Sequence, residues 1–187
     1  NLWRSGDLPS ETLDAIGVEL ARLLLADRQN DWALTLAKEW IARDPNSVEA
    51  HRLRIVSLST NAPLADVERQ IDSATLPTEG KAVLRESLAD LILAAGQTDT
   101  ALVMYRDIAD TVPSNVTSRQ KIIQFTPEWT EANKRSEELR ELEGPNAFRW
   151  KFELAGAILR LKPEGEEPSR AVSLLQECLA RRPRWGA

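Results

Sequence analysis

The stretch that decides the fold spans residues 88–113 and reads LADLILAAGQTDTALVMYRDIADTVP. Apolar residues recur at steps of three and four on both sides of Gly96, which is typical of two amphipathic helices. Gly96 suits a tight exit from the first helix, and Pro113 ends the second because proline cannot continue a helix. Ala89 and Ala101 are small enough to let two antiparallel helices approach closely. The stretch therefore predicts a helical hairpin.

The same hairpin pattern recurs earlier and later in the chain. Ala33 and Ala101 lie 68 residues apart, as do Pro45 and Pro113, and 68 is twice 34. A fixed period of this length indicates a helical repeat. The third copy carries an insertion of four residues, which falls in the polar stretch 162–168. The matching positions of the three copies are Leu20, Ala21, Ala33 and Pro45; Leu88, Ala89, Ala101 and Pro113; and Leu154, Ala155, Ala171 and Pro183.

Helical periodicity covers most of the chain, and no alternating strand pattern of useful length occurs, so an all-α fold is predicted. The ten predicted helices span residues 11–28, 31–43, 47–60, 63–74, 79–95, 98–111, 115–125, 127–142, 146–161 and 168–181. Pro127 and Pro168 are expected at first helical positions, where a missing N–H does no harm. The predicted N-caps are Ser10, Asp31, Ser47, Thr78, Thr98, Thr126 and Glu167.

The chain resembles the tetratricopeptide repeat (TPR) family. The best match to the family pattern consists of Leu88, Ala89, Gly96, Ala101, Leu102, Tyr105 and Pro113. In the first unit Ala37 replaces the usual aromatic residue and Trp40 replaces the usual small one, which we interpret as a volume exchange within one core layer. Two intermediate units match less well, with Ile55, Ile123 and Val67 at positions where the family has small residues.

The resemblance implies an α-solenoid of about five antiparallel helix pairs wound into a right-handed superhelix. A single TPR-like domain over residues 1–187 is expected, because only short polar joints separate the helices. Its approximate units are residues 11–45, 46–77, 78–113, 114–144 and 145–183.

Composition excludes several functional classes. The net charge of −5 argues against a protein that grips nucleic acid, and no apolar run approaches the length of a membrane span. One histidine and one cysteine cannot build a structural zinc site or a disulfide framework. No catalytic motif occurs, so no enzyme activity and no cofactor are predicted. The chain lacks an initiator Met and ends soon after Pro183, which suggests a piece of a longer protein; the compartment stays open.

Several conspicuous residues are expected to have structural roles. His51 and Cys178 are predicted to pack in the core, and the acidic pair Glu137 and Glu141 is predicted to lie on a solvated helix face. The tryptophans within or beside helices are expected to fill the space between them: Trp32, Trp40, Trp129 and Trp150.

The segment 148–152 is the exception among the aromatic residues. Phe148 and Phe152 share one helix face, and Trp150 points elsewhere. One of these faces is expected in the core, and the other is expected either to be exposed to a partner or to pack under a following unit if the chain continues.

The concave surface implied by the resemblance is lined mainly by the first helix of each pair. The inward residues in the family register are Arg22, Glu49, Arg52, Glu86, Asp90, Gln120, Gln124 and Arg149. The set is mixed in sign, with an acidic middle at Glu86 and Asp90. The Lys/Asn/Arg spacing by which some family members clamp C-terminal carboxylates is absent.

The predicted function is a scaffold that binds a peptide or a protein surface in this groove. One alternative is a regulatory or substrate-presenting arm of a larger enzyme such as a glycosyltransferase. The other is a structural spacer that self-associates through its terminal helices.

Overall fold

The computed structural model describes residues 10–165 and 168–181, and all regular structure in these two ranges is α-helical. The ten helices are α1 (Ser10–Ala26), α2 (Asn30–Arg43), α3 (Val48–Ser59), α4 (Leu64–Asp72), α5 (Thr78–Ala94), α6 (Thr98–Thr111), α7 (Val116–Phe125), α8 (Trp129–Glu143), α9 (Phe148–Leu161) and α10 (Pro168–Arg181). The all-α prediction is confirmed, and every predicted helix end lies within two residues of the observed one.

Two of the helix starts are fixed by side-chain caps. The Ser47 side chain accepts a hydrogen bond from the Ala50 N–H at 3.2 Å, as predicted for α3. The Asn115 side chain caps α7 by accepting from the Ser118 N–H at 2.8 Å, although the sequence analysis did not identify this cap. Each cap satisfies one backbone donor that the first turn of a helix leaves free.

Other predicted caps are wrong by one or two positions. Residues Gln29 and Gln97 precede α2 and α6, so Asp31 and Thr98 lie inside the first turns. Ser10 and Thr78 are the first residues of their helices rather than the residues before them. The predicted cap Glu167 and the predicted stop Pro183 lie outside the described residues.

The start of α8 has a physical reason for its shift. The Thr126 hydroxyl accepts from the Glu128 N–H at 3.2 Å and donates to the Glu131 carboxylate at 2.7 Å. This local turn precedes the helix, so α8 begins at Trp129 and Pro127 stands outside it. Pro168 does occupy the first position of its helix, as predicted.

The chain divides into two compact units, Asn1–Ala94 and Ala95–Ala187. In the first unit each helix contacts the next, and the first helices of successive pairs also contact each other, α1 with α3 and α3 with α5. Ala33, Leu36, Ala37 and Leu53 form one buried cluster. Partly buried Ala21 packs against this cluster, which confirms the predicted close approach of α1 and α2.

The second unit repeats this arrangement. Each of its helices contacts the next, and the first helices α7 and α9 contact each other as well. The predicted alanine pair, Ala155 of α9 and Ala171 of α10, is fully buried in one cluster. Trp129 and Trp150 pack both against that cluster and against the cluster formed under α7 and α8.

The C-terminal end of α7 is held by a side chain from α9. Arg160 donates hydrogen bonds to the carbonyl oxygens of Thr126 at 2.7 Å and Ile123 at 2.6 Å. A cation at this end of a helix interacts favourably with the helix dipole and satisfies carbonyls that have no partner within the helix.

The prediction of one domain with repeat units at the stated boundaries stays a prediction.

Gly96, between α5 and α6, has a φ of +81° and open space around the position of a Cβ. The predicted tight exit from α5 at Gly96 is therefore confirmed. The boundary between the two units falls just before it, at Ala94 and Ala95.

Candidate functional site

The first unit contains an open recess of about 260 Å³ between α1 and α3. Its apolar lining consists of Val18, Ala21, Leu25, Trp40, Leu53 and Val56. Trp40 reaches the recess from α2 and is only 1% exposed. Trp40, which stands where the family pattern has a small residue, therefore contributes to the floor of the recess.

Three of the predicted inward residues also line this recess, namely Arg22, Glu49 and Arg52. Each arginine forms an ion pair one turn away on its own helix: Arg52 with Glu49 at 2.8 Å, and Arg22 with Glu19, whose Oε2 is 3.0 Å from Nε. The Arg22 hydrogen bond lowers the pKa of the Glu19 carboxyl. Exposed ion pairs of this kind contribute little to stability, so a charged ligand group can replace either partner at small cost.

Glu86 and Asp90 lie on α5 of the same unit and do not line the recess. Glu86 is half-buried and Asp90 is exposed. Their assignment to a binding surface stays a prediction.

The other three predicted inward residues meet in the second unit, at a site between α7 and α9. Gln120 and Gln124 of α7 both donate to Oε1 of Glu153 on α9, at 3.2 and 2.9 Å. Gln124 also lies 3.0 Å from Oε2. Arg149 stands one turn before Glu153 on α9, close enough to stabilise its charge. We call these four residues the α7–α9 site.

Glu153 is the residue that sequence reasoning missed, because it lies in an apolar segment as a single acidic residue. It is only 8% exposed, and burial raises the pKa of its carboxyl. The two glutamine hydrogen bonds and the Arg149 charge act in the opposite direction and lower the pKa by less. Its partners Gln120 and Gln124 lie on α7 and precede it by 33 and 29 residues. Only the packing of α7 against α9 brings them close, and the residues around Glu153 do not reveal it.

Arg149 is itself engaged by a second acidic residue. Its guanidinium lies 2.9 Å from Oε1 of Glu143, at the end of α8. The other carboxylate oxygen of Glu143 is buried without a hydrogen-bond partner. The positive charge nearest to Glu153 is therefore shared with another carboxylate.

The packing predictions are confirmed for both single-copy residues. His51 is 5% exposed and its Nε2 lies 2.9 Å from the Pro45 carbonyl oxygen. Cys178 is 2% exposed, with its Sγ 3.4 Å from the Phe148 carbonyl oxygen. Glu141 is exposed, as expected for a solvated helix face.

The expectation that Trp32 fills the space between helices is wrong. It is 68% exposed and lies in the first turn of α2, although Leu36, one turn later on the same helix, is buried. Within the segment 148–152 the core face is that of Trp150, while Phe152 is 42% exposed.

Comparison with solved structures identifies the fold. YrrB, a TPR protein with an unusual peptide-binding site, is 12% identical and aligns with a TM-score of 0.53 over 90% of this chain and 86% of YrrB. MamA from Desulfovibrio magneticus RS-1 (residue 41 to the end) is 11% identical, with a TM-score of 0.56 over 92% of this chain and 97% of MamA. Another MamA structure is 14% identical, with a TM-score of 0.54 over 87% and 94% of the two chains. No family model and no curated protein matches the chain.

Antiparallel helical hairpins packed through buried alanines define an all-α helical-repeat protein. The particular repeat is that of the tetratricopeptide repeat fold, which the structures of YrrB and MamA share with this chain. Within the described residues, no helix combines the length and the apolar character that crossing a bilayer requires.

Proposed function

We propose that this chain is a non-catalytic scaffold that binds a peptide or a protein surface, with the α1–α3 recess as one contact. The observation that carries the proposal is an apolar floor bordered by two arginines and a glutamate. Such a site gains free energy by burying an apolar ligand group, and polar groups around it fix the orientation of that group.

The size of the recess favours a side chain over a whole small molecule. Pockets for drug-sized ligands and cofactors span about 300–1,000 Å³. The recess holds about 260 Å³ and is open to solvent. One large apolar side chain of a bound peptide would fill it. The peptide-binding site of YrrB, which has the same fold at low sequence identity, supports this interpretation.

Selection from a random peptide library tests the proposal. The full chain is immobilised and panned against phage-displayed 12-residue peptides, and dissociation constants of the enriched peptides are measured by fluorescence anisotropy. Val56→Arg places a bulky charged side chain at the half-buried lining of the recess, and Val83→Arg makes the same change at an exposed position of α5. Circular dichroism confirms that both variants fold.

We expect Val56→Arg to weaken binding about tenfold or more, because the anchor side chain loses its pocket, while Val83→Arg binds as the wild type does. Equal binding by the two variants would refute the recess as the contact. Failure to enrich any peptide would refute the scaffold function.

A second proposal is self-association through the terminal helix α1. Ile16, Leu20 and Leu23 follow the spacing i, i+4, i+7 on α1 and are 40, 36 and 51% exposed. An apolar helix stripe of this kind packs favourably against another helix. Light scattering coupled to gel filtration should show a concentration-dependent dimer that Leu23→Glu abolishes; a monomer at all concentrations would remove this proposal. The role of an arm of a larger enzyme stays a prediction.

A further inference from the structure

The hydrogen bonds that hold the buried carboxylate of Glu153 in the α7–α9 site come from neutral amides. Both oxygens of Glu153 accept hydrogen bonds from glutamine amides, and no described lysine or arginine forms an ion pair with Glu153. A carboxylate removed from water is costly unless a cation or several donors compensate for the lost hydration. The two glutamines compensate in part, because a neutral donor contributes less than a charged one.

The charges around the site leave an excess of negative charge. Arg149 is the cation nearest to Glu153, and it is bound to Glu143 at 2.9 Å. Two carboxylates thus share one guanidinium. The next basic residue along α9, Lys151, is buried on another face of the helix, where it pairs with Glu177 of α10.

Solvent can still reach the site. Gln124 is exposed, Gln120 is half-buried, and the Arg149 side chain is 38% exposed. Glu153 itself keeps 8% of its surface exposed. An incoming cation can therefore meet the carboxylate without displacing a helix.

We propose that the α7–α9 site binds the side chain of a lysine or an arginine from a peptide or protein that the scaffold carries. This assignment rests on the proposed scaffold function and adds the chemistry of the partner. The ammonium or guanidinium would supply the direct ion pair that Glu153 lacks, while Gln120 and Gln124 hold the carboxylate in place. Charge complementarity selects a basic residue over an acidic or an apolar one.

A double-mutant cycle on the full chain tests the site. The probes are the 12-residue peptides enriched in the library selection. For each peptide a set of variants is synthesised, and each variant has a single lysine replaced by norleucine or a single arginine replaced by citrulline. Norleucine keeps the four-carbon chain of lysine without its ammonium group, citrulline keeps the length of arginine, and both remove the positive charge. The protein variants are Glu153→Gln, which keeps the shape of the site, and Glu137→Gln, which removes one charge from a half-buried position of α8 that pairs with Arg140.

We expect one basic position of the peptides at which charge removal weakens binding to the wild type about tenfold or more. At that position the same peptide change should have little effect on Glu153→Gln and the full effect on Glu137→Gln. Peptides whose basic residues matter equally for Glu153→Gln and the wild type would overturn the inference.

Failure of the inference is distinguishable from failure of the scaffold function. Enriched peptides that lose affinity with Val56→Arg but show no basic position would overturn the inference and leave the scaffold function in place. If no peptide is enriched, both are overturned.

Discussion

Substitutions at two neighbouring residues of α9 are expected to change the stability of the protein in opposite directions. Comparing them tests how α9 packs against α10. Ala155 is fully buried and shares a cluster with Ala171, Leu154, Ile158 and Leu174, where α9 meets α10. Gly156, the next residue, is exposed, and a Cβ placed there meets no heavy atom within 4 Å. The pair separates the effect of packing from the effect of helix propensity.

The magnitudes follow from these two environments. Ala155→Leu adds three carbon atoms at a fully buried contact, and overpacking of this kind costs about 1–3 kcal/mol. For a chain of this length that destabilisation lowers the melting temperature by about 2–12 °C. Gly156→Ala should stabilise the protein by about 0.5–1 kcal/mol, because glycine loses more backbone entropy in a helix than alanine does.

Urea unfolding followed by circular dichroism measures both changes. The two compact units need not unfold together, so hydrogen exchange of the α9 and α10 amides provides a local measurement as well. Protection of these amides should fall in Ala155→Leu and rise in Gly156→Ala. An Ala155→Leu variant as stable as the wild type would refute the reasoning that an alanine-sized contact holds this hairpin together.

Three further predictions concern charged residues of the second unit. Arg160→Met should destabilise by about 1–2 kcal/mol in urea unfolding, since two hydrogen bonds at the end of α7 are lost from an exposed guanidinium. The control Arg69→Met in α4, which removes an exposed i, i+3 pair with Asp66, should change stability by less than about 0.5 kcal/mol. Burial raises the pKa of Glu153 above 4.5. Its favourable contribution to the free energy of unfolding is therefore present below pH 4.5 and is lost as the pH rises through the folded-state pKa. Glu153→Gln should be more stable than the wild type at pH 7, and the difference in stability should shrink toward pH 4. The Arg106 hydrogen bond lowers the pKa of Glu131 below 4.5, so its contribution is present above pH 4.5 and is lost as the pH falls through the folded-state pKa; Glu131→Gln should be less stable at pH 7, with a difference that shrinks on acidification. The same sign of change for both glutamate variants at pH 7 would contradict the two pKa directions.

Local sequence patterns were sufficient to predict the helices. Apolar spacing placed all ten within two residues, and the alanines of the hairpin contact between α9 and α10 were identified by the repeat alone. These features depend on residues close in sequence or related by a fixed period, and such information is present in one chain.

Features that depend on the environment of a residue were not predictable in the same way. Glu153 is buried because α7 presents two glutamines to it, a fact that its own segment does not contain. Trp32 is 68% exposed, and the apolar spacing of α2 does not reveal this because Leu36, one turn later, is buried. The first turn of α8 was misplaced because the backbone of Glu128 is extended (φ −96°, ψ 115°), and apolar spacing does not show the turn that Thr126 forms before it.

The position of Trp40 on the floor of the α1–α3 recess gives the protein a fluorescent reporter of that recess. Trp40 is shielded from bulk water, whereas Trp32, in the same unit, is 68% exposed and accessible to a collisional quencher such as iodide. In a Trp32→Phe background the emission of this exposed indole disappears. A guest that enters the recess contacts the indole of Trp40 and changes its emission, so occupancy can be followed without attaching a dye.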